Sequence, residues 1–270
     1  MNNDAIGVFD SGLGGLTAVK ELQALLPHEN IVFFGDTARV PYGNRSKEVI
    51  SKYAGQDINF LRKSGVKMII AACGTVSSVL GTQLPVTEMP FTGVLVPAVQ
   101  AACGATRKGR IGVIGTTATI KSGSYGRAIR TIRPDTFVVG NPCPLLVPLV
   151  ENGFVGKDNP VTRLVVAQYL APVLAENIDT LILGCTHYPL LEDMIGEIAG
   201  PEVTLISPGK EAAKCAGAIL TEKELLSDRV QPGQTEYFVS DSVELFAENA
   251  RIFLGATVEG RVHKVDIEMF

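Results

Sequence analysis

Two of the five cysteines stand where an apolar strand gives way to a helix. Cys73 ends the apolar run in IIAACGTVSS, and Cys185 ends the one in LILGCTHYPLL. Free backbone N–H groups and the positive end of a helix dipole stabilise a thiolate at such a position, so we expect the pKa of each thiol to be lowered. One cysteine at a strand end is usually a small buried hydrophobe. Two in matching places, each followed within two residues by a threonine, favour a pair of acid–base groups.

The remaining cysteines, Cys103, Cys143 and Cys215, lack this context, and we expect their replacement by alanine to leave the function intact. Cys103 and Cys215 are predicted to lie in helices as packing residues. The number of cysteines is odd, their spacing is wide, and no C-x-x-C pair occurs. This usage fits a reducing cytoplasm better than a disulfide framework or a structural zinc site.

A glycine-rich turn follows the first predicted strand in VFDSGLGGLTAV. Asp10 and Ser11 leave that strand and could face a small ligand at its end, or they could only cap the helix that follows. A dinucleotide fingerprint is the competing interpretation, because the turn contains G-x-G and Asp36 ends the second strand. The third position of that fingerprint is Thr17, which serves close packing of helix on strand poorly.

Other polar residues give weaker signals. His187 lies two residues after Cys185, and this nearness to a candidate thiolate favours a functional role over a structural one. Glu151, in LVENGF, is isolated, and its pattern predicts a surface residue. The segment GDTARVPYGNRS contains the turn residues Pro41 and Gly43 and predicts a loop after the second strand. Loops at strand ends often carry function.

The elements that must position these residues are strands alternating with helices. Such alternation predicts βαβ units, hence an α/β fold with mainly parallel sheets and helices on both faces. The predicted strands are Ala5–Phe9, Ile31–Phe34, Lys67–Ala72, Arg110–Ile114, Thr136–Val139, Thr180–Leu183, Val203–Ile206 and Tyr237–Val239. The predicted helices are Leu16–Leu26, Ser46–Lys63, Thr162–Ala175, Glu211–Leu226 and Ser242–Leu254.

The chain also repeats itself. AIGVFDSG resembles RIGVIGTT, and KMIIAACGT resembles DTLILGCTH at a similar offset. Any two α/β halves share some likeness, but the match also fits two similar domains that face each other across a cleft. In such folds ligands bind at the carboxyl ends of the strands. We expect a first domain of residues 1–96 plus 208–270 and a second of residues 97–207.

Composition narrows the class of function. The 270 residues are 46% hydrophobic and 19% charged, which allows one large or two moderate domains with well-filled cores. The net charge of −4, without a run of like charges, argues against a nucleic-acid groove but permits a small anionic ligand at a helix end. We expect neither a signal peptide nor a membrane span, since no apolar stretch approaches ~18 residues.

Taken together, these motifs resemble the bacterial glutamate racemases over nearly the whole chain. The resemblance implies two pseudo-symmetric α/β domains with the active site between them. It implies interconversion of L- and D-glutamate without pyridoxal phosphate, metal or nucleotide, D-glutamate for peptidoglycan synthesis, and a homodimer. Related aspartate- or hydantoin-type racemases and a non-enzymatic ligand-binding protein remain alternatives. The segments that carry it are IGVFDSGLGGLTAV, GDTARVPYGNRS, AACGTVSS, LVENGF and GCTHYPLL.

The same resemblance assigns roles to residues. Cys73 corresponds to the base that acts on D-glutamate, assisted by Asp10. Cys185 corresponds to the base that acts on L-glutamate, assisted by His187 and Glu151. The positions implied to bind substrate are Asp10, Ser11, Pro41, Tyr42, Gly43, Gly74, Thr75 and Thr186.

One position departs from the family pattern. Many members carry asparagine where this chain has Gly74. Glycine keeps the backbone N–H that can bind a carboxylate but removes the amide side chain, which affects substrate affinity more than the type of reaction.

Racemisation explains why a pair of thiols would be needed. A proton leaves one face of the α-carbon and another arrives at the opposite face, so two opposed groups in opposite protonation states suit the task. Without a cofactor as electron sink, positioned N–H groups and hydroxyls must stabilise the developing carbanion. Thr75, Thr186 and the helix N-termini are the candidates.

Overall fold

Two parallel sheets flanked by helices form the part of the chain that this computed structural model describes, residues 3–81, 89–258 and 260–270. The strands are β1 (Ile6–Asp10), β2 (Ile31–Gly35), β3 (Met68–Ala71), β4 (Phe91–Gly93), β5 (Arg110–Gly115), β6 (Phe137–Pro142), β7 (Thr180–Gly184), β8 (Thr204–Ile206), β9 (Thr235–Val239) and β10 (Val262–Lys264). The helices are α1 (Leu16–Leu25), α2 (Lys47–Lys63), α3 (Gly74–Leu80), α4 (Leu95–Ala105), α5 (Thr117–Ser122), α6 (Ser124–Ile132), α7 (Leu146–Glu151), α8 (Pro160–Leu174), α9 (Glu192–Ala199), α10 (Pro208–Glu222) and α11 (Val243–Leu254). Short 3₁₀ turns cover Tyr42–Asn44, Tyr188–Leu191 and Ile267–Met269.

The two sheets share a strand order. The first runs β10-β9-β2-β1-β3-β4 and the second β6-β5-β7-β8, and every neighbouring pair is parallel. The order β2-β1-β3-β4 therefore recurs as β6-β5-β7-β8, which is the structural form of the sequence repeat. In each sheet the chain changes direction of winding beside a central strand, where open α/β sheets bind ligands at the carboxyl ends.

The predicted α/β class is confirmed, and all eight predicted strands and all five predicted helices occur with ends shifted by a few residues. The elements whose ranges were not predicted are mostly short: β4 and β10 have three residues each, and α3, α5 and α7 have six or seven. For α3, only its start after Cys73 was predicted. Such lengths give too few repeats for a periodic pattern. The longer α4 was predicted only as a helix that contains Cys103, and its ends were not, because it is apolar almost all round and contains Pro97 in its first turn.

Burial explains the strand sequences. Every residue of β1, β3 and β7 is buried, and each strand is a short, predominantly apolar run. Parallel strands covered by helices on both faces have this composition. These central strands deliver their last residues to the site, so the most tightly packed part of each half positions the chemistry.

The predicted domain division remains a prediction. Its first boundary, after residue 96, falls inside α4, whose buried residues pack with Ile111 and Ile182 of the second sheet. Its second boundary, after residue 207, coincides with the start of α10 at Pro208. In the described ranges, no helix is both long and apolar enough to cross a membrane.

A buried ion pair fastens the edge of the first half that lies away from the strands' carboxyl ends. Lys67 Nζ lies 2.5 Å from Glu29 Oε2, and the two side chains are 2% and 3% exposed. Lys67 also donates to the carbonyl oxygen of Leu225 at 2.8 Å, and Glu29 accepts from the backbone N–H of Ser227 at 2.7 Å. The pair therefore ties the segment after α10 to the starts of β2 and β3.

Replacing Lys67 by methionine should destabilise the fold strongly. Removing one partner of a buried ion pair leaves the Glu29 charge without its cation, which costs about 3–5 kcal/mol. Lys214→Met is the matched control, because its pair with Glu211 involves a half-exposed lysine and contributes only about 0–1 kcal/mol. Urea denaturation of both variants measures the difference, and equal effects would show that the buried pair does not hold this edge.

Candidate active site

A cavity of about 330 Å³ opens at the carboxyl ends of β1, β3, β5 and β7, with walls from both halves of the chain. Eleven of the twelve site residues predicted from sequence line it: Ser11, Pro41, Tyr42, Gly43, Cys73, Gly74, Thr75, Glu151, Cys185, Thr186 and His187. The twelfth, Asp10, lies behind Ser11 and is buried. One cavity thus brings together residues that are up to 176 positions apart, from Ser11 to His187, in the sequence.

Asp10 ends β1 as a buried carboxylate with little support. It accepts a hydrogen bond from the backbone N–H of Gly12 at 3.0 Å, while its Oδ1 finds no hydrogen-bond partner within the described residues. Burial raises the pKa of Asp10, and the nearby charge of His187 and the backbone N–H groups of the turn offset part of that rise. The glycine-rich turn therefore wraps a carboxyl group that interacts electrostatically with both His187 and Cys73.

Cys73 caps the N-terminus of α3, as expected, and its thiol lies 3.4 Å from the hydroxyl oxygen of Ser11. The expectation that the helix end lowers the pKa of this thiol is wrong. Burial, followed by the carboxylate of Asp10, raises the pKa of Cys73 to about 12, against hydrogen bonds from Ser11 and the N–H of Val76. At neutral pH Cys73 is therefore a thiol, ready to donate a proton.

Cys185 has a different neighbourhood. Its Sγ lies 3.8 Å from His187 Nδ1, and His187 Nε2 lies 2.9 Å from Glu151 Oε1. Burial lowers the pKa of the His187 imidazole, but the contacts with Cys185 and Glu151 outweigh burial and hold the pKa at about 10. The resulting imidazolium lies beside Cys185, whereas the carboxylate of Asp10 acts on Cys73. The two cysteines therefore have neighbours of opposite charge.

Threonine hydroxyls link the two halves of the chain near the cavity. Thr75 Oγ1 lies 3.3 Å from Thr116 Oγ1 across the two halves, and Thr116 caps α5 by accepting from the N–H of Thr119 at 3.2 Å. Thr17 Oγ1, at the position that weakened the dinucleotide fingerprint, lies 2.9 Å from the carbonyl oxygen of Thr186. The third fingerprint position is thus occupied by a side chain that joins the halves beside Cys185.

Two glycines allow the halves to approach at the site. A Cβ atom on Gly14 would lie 2.1 Å from Thr186 Oγ1 and 2.6 Å from His187 Nδ1. A Cβ atom on Gly74 would lie 2.7 Å from the carbonyl oxygen of Gly184 and 3.8 Å from the Cα of Cys185. The glycine that departs from the family pattern is therefore a point of backbone contact between the two cysteine segments, in addition to being a lost side chain.

Sequence reasoning missed several residues of the cavity wall. They are chiefly Asn44, Thr116, Thr117, Cys143, Val147 and Pro148. The repeat contained the signal for one of them, because RIGVIGTT places Thr116 where AIGVFDSG has Ser11. Cys143 carried no such signal, since it follows β6, a partly exposed strand, whereas Cys103 and Cys215 lie in α4 and α10 as predicted.

Comparison with known proteins reveals extensive similarity. A sequence model of the Asp/Glu/Hydantoin racemase family matches residues 17–216. The glutamate racemase of Chlorobaculum tepidum is 46% identical over 256 residues, which are 94% of this chain and 93% of that protein. The crystal structure of a glutamate racemase from Bacillus anthracis aligns with a TM-score of 0.92 and 38% identity, covering 98% of both chains. That of the Francisella tularensis glutamate racemase in complex with D-glutamate aligns with a TM-score of 0.91 and 37% identity over 100% of both chains.

Adding a side chain at Gly74 should lower stability. Both Gly74→Ala and Gly74→Asn place a Cβ against backbone that cannot turn aside, and overpacking of this kind costs about 1–3 kcal/mol. Gly104→Ala is the control, because that glycine is exposed in α4 with nothing within 4 Å of its Cβ position. Alanine there should stabilise the helix by up to about 1 kcal/mol.

Unfolding free energies from guanidinium titrations compare these variants with the wild type. If Gly74→Asn unfolded at the wild-type concentration of denaturant, the two cysteine segments could separate without cost and the contact would not constrain them.

Proposed function

The chain belongs to the Asp/Glu/hydantoin racemase family, and on that premise we propose that it is a glutamate racemase that interconverts L- and D-glutamate with two thiols and no cofactor. As a member of this family the protein is an isomerase. One observation carries the mechanistic proposal. Cys73 and Cys185 come from the carboxyl ends of corresponding strands, β3 and β7, and line one cavity with opposite charge environments.

The reaction from L-glutamate starts at Cys185. Its thiolate, next to the His187 imidazolium, takes the α-hydrogen as a proton, and the electron pair of the C–H bond remains on the α-carbon. The Cys73 thiol then gives its proton to the opposite face, which produces D-glutamate and leaves Cys73 as thiolate. The reverse reaction runs through the same states with the two cysteines exchanged.

The developing negative charge needs donors that are already in place. The N–H groups at the N-terminus of α3 and the hydroxyls of Thr75 and Thr186 border the cavity beside the thiols. Such preorganised donors stabilise charge as it forms without having to reorient. We assign them to the substrate carboxylate, together with Ser11 on the first half.

We choose glutamate over other amino acids because the relatives of high identity are glutamate racemases, and one of them was crystallised with D-glutamate. Aspartate and hydantoins, which the family description also names, are the alternative substrates. By the same resemblance the protein supplies D-glutamate for peptidoglycan synthesis in the cytoplasm and acts as a homodimer.

Racemisation assayed by circular dichroism tests the proposal. The wild-type protein should convert L-glutamate into the racemic mixture, and faster than it converts L-aspartate. Cys73→Ala and Cys185→Ala should each lose at least the ~10²–10⁴-fold that a positioned acid–base group contributes. Cys103→Ala and Cys215→Ala are controls, because neither side chain borders the cavity, and both variants should keep wild-type rates.

Two outcomes would contradict parts of the proposal. Near wild-type racemisation by Cys185→Ala would rule out the two-thiol mechanism. Faster turnover of aspartate than of glutamate would assign the protein to a different substrate within the same family.

The isotope pattern in heavy water should identify two separate bases. When pure L-glutamate reacts and the reaction is stopped early, Cys73 delivers a deuteron, so the D-glutamate formed should carry deuterium at its α-carbon. The remaining L-glutamate should stay largely unlabelled, provided that the hydrogen held on Cys185 returns faster than it exchanges with solvent. Mass spectrometry after separation of the enantiomers measures both pools.

The experiment that starts from D-glutamate should give the mirror pattern. In the reaction from L-glutamate, a single base that carries the hydrogen from face to face would give early D-glutamate rich in protium. This result would overturn the assignment of two bases.

A further inference from the structure

A cluster of ionisable side chains lies beneath the loop that forms one wall of the cavity. Tyr42 borders the cavity next to Gly43, but its hydroxyl points into the first half, between Asp36 and Asp57. The side chains of both aspartates are 0% exposed. Arg39 is the cation of the cluster, with Nε 2.7 Å from Asp36 Oδ2 and an Nη 3.5 Å from Asp57 Oδ1.

The phenol hydroxyl lies between two acceptors but has only one proton. The hydroxyl oxygen of Tyr42 forms a short hydrogen bond with Asp36 Oδ2 and lies 3.1 Å from Asp57 Oδ2. If Tyr42 donates to one carboxylate, its oxygen and an oxygen of the other carboxylate would face each other without a hydrogen. Buried polar groups are hydrogen-bonded in folded proteins, so the second contact requires another proton, which only a carboxylic acid can provide.

The contacts of the two aspartates decide which of them holds this proton. Asp36 accepts from Arg39 Nε and, at 2.8 Å, from the hydroxyl of Ser240, so it is surrounded by donors. Among the residues that the structure describes, Asp57 has no cation closer than the 3.5 Å contact with Arg39. The other Nη of Arg39 also binds Glu268 at 3.0 Å.

The remaining charges around Asp57 also favour its protonated form. Burial, followed by the neighbouring charge of Asp36, raises the pKa of Asp57 well above its usual range, and the more distant carboxylate of Asp10 adds to this rise. Arg39 and the Tyr42 hydroxyl oppose the shift without cancelling it.

We propose that Asp57 is a neutral carboxylic acid that donates a hydrogen bond to Tyr42 and thereby positions the Pro41–Gly43 segment of the cavity wall. Tyr42 in turn donates to the Asp36 carboxylate, which Arg39 and Ser240 hold in place. Arg39 also lies 4.0 Å above the ring of Tyr53 and is bound by Gln56 at 2.6 Å. Asp57 acts through Tyr42 and is a positioning residue, and its effect on activity rests on the proposed racemase function.

The protonation state can be tested without any assay of activity. The pKa of Asp57 is raised in the folded protein, so its contribution to stability is complete below the unfolded pKa of about 3.9 and is lost as pH rises toward the folded pKa. Asparagine cannot ionise, and its amide N–H replaces the acid as donor. The stability of Asp57→Asn relative to the wild type should therefore increase as pH rises from about 4 to about 8.

Asp36→Asn is the matched control, because it places the same amide where a carboxylate is needed to accept from Arg39. It should be less stable than the wild type at neutral pH. A stability difference between Asp57→Asn and the wild type that stays flat or falls as pH rises would overturn the proposal. The proposal also requires that the infrared spectrum of the wild type contain a protonated carboxylic acid band and that Asp57→Asn lack it. The absence of such a band from the wild type would likewise overturn the proposal.

The positioning role is tested by the Michaelis parameters for L-glutamate. Asp57→Leu removes the donor at similar volume and should raise KM by about tenfold, the effect of losing one buried hydrogen bond, with a smaller effect on kcat. Asp57→Asn keeps an N–H donor at this position and should have the wild-type KM. Equal loss of activity in both folded variants would refute the positioning role. If the wild type did not racemise glutamate at all, the proposed function would fail, while the pH dependence of stability would still decide the state of Asp57.

Discussion

The close contact of two backbone segments is the constraint on which this site depends. Each cysteine follows a central, fully buried strand, and the two strand ends meet where Gly74 faces the carbonyl oxygen of Gly184. On the other side, Gly14 lies against Thr186 and His187, and Thr17 bonds to the carbonyl oxygen of Thr186. In this chain, a Cβ atom at either glycine would lie less than 3 Å from the nearest atom that faces it. These contacts therefore set the position of each cysteine segment relative to the other.

Within that fixed frame, the two thiols differ because their neighbours differ. Burial and the Asp10 carboxylate keep Cys73 protonated, whereas Cys185 faces an imidazolium that Glu151 supports from the other side. The repeat in the chain is thus symmetric in backbone but asymmetric in charge: Asp10 stands at the end of β1, where the corresponding position at the end of β5 is Gly115. The mechanism proposed above needs one acid and one base at the start of each turnover, and this difference in charge supports that assignment.

The sequence was sufficient for the fold class, the long elements and the residues at strand ends, because buried parallel strands leave continuous apolar runs and their ends are marked by polar residues. The sequence was insufficient to predict properties that depend on several competing weak effects. The pKa of Cys73 was predicted with the wrong direction because a helix end is visible in the pattern, while burial and a carboxylate from another strand are not. In the sequence, Gly74 is visible only as a position that lacks the usual side chain. Its contact with Gly184 is visible only in the structure. The spacing of Asp36, Tyr42 and Asp57 in the sequence does not reveal that the Tyr42 hydroxyl lies between the two aspartates.

The asymmetry of charge cannot favour one enantiomer at equilibrium. L- and D-glutamate are mirror images with equal free energies, so kcat/KM must be the same in both directions whatever the environment of Cys73 and Cys185. A thiol whose ionisation is disfavoured can therefore alter kcat and KM separately in each direction, while kcat/KM stays equal in the two directions. In the proposed mechanism, reaction from D-glutamate needs Cys73 as thiolate, a state that burial and Asp10 disfavour. This cost enters the free energy of the enzyme form that binds D-glutamate. In the proposed mechanism, the buried Asp10 carboxyl therefore shifts the balance between the two protonation forms of the enzyme, and two enantiomers of equal free energy cannot offset this shift.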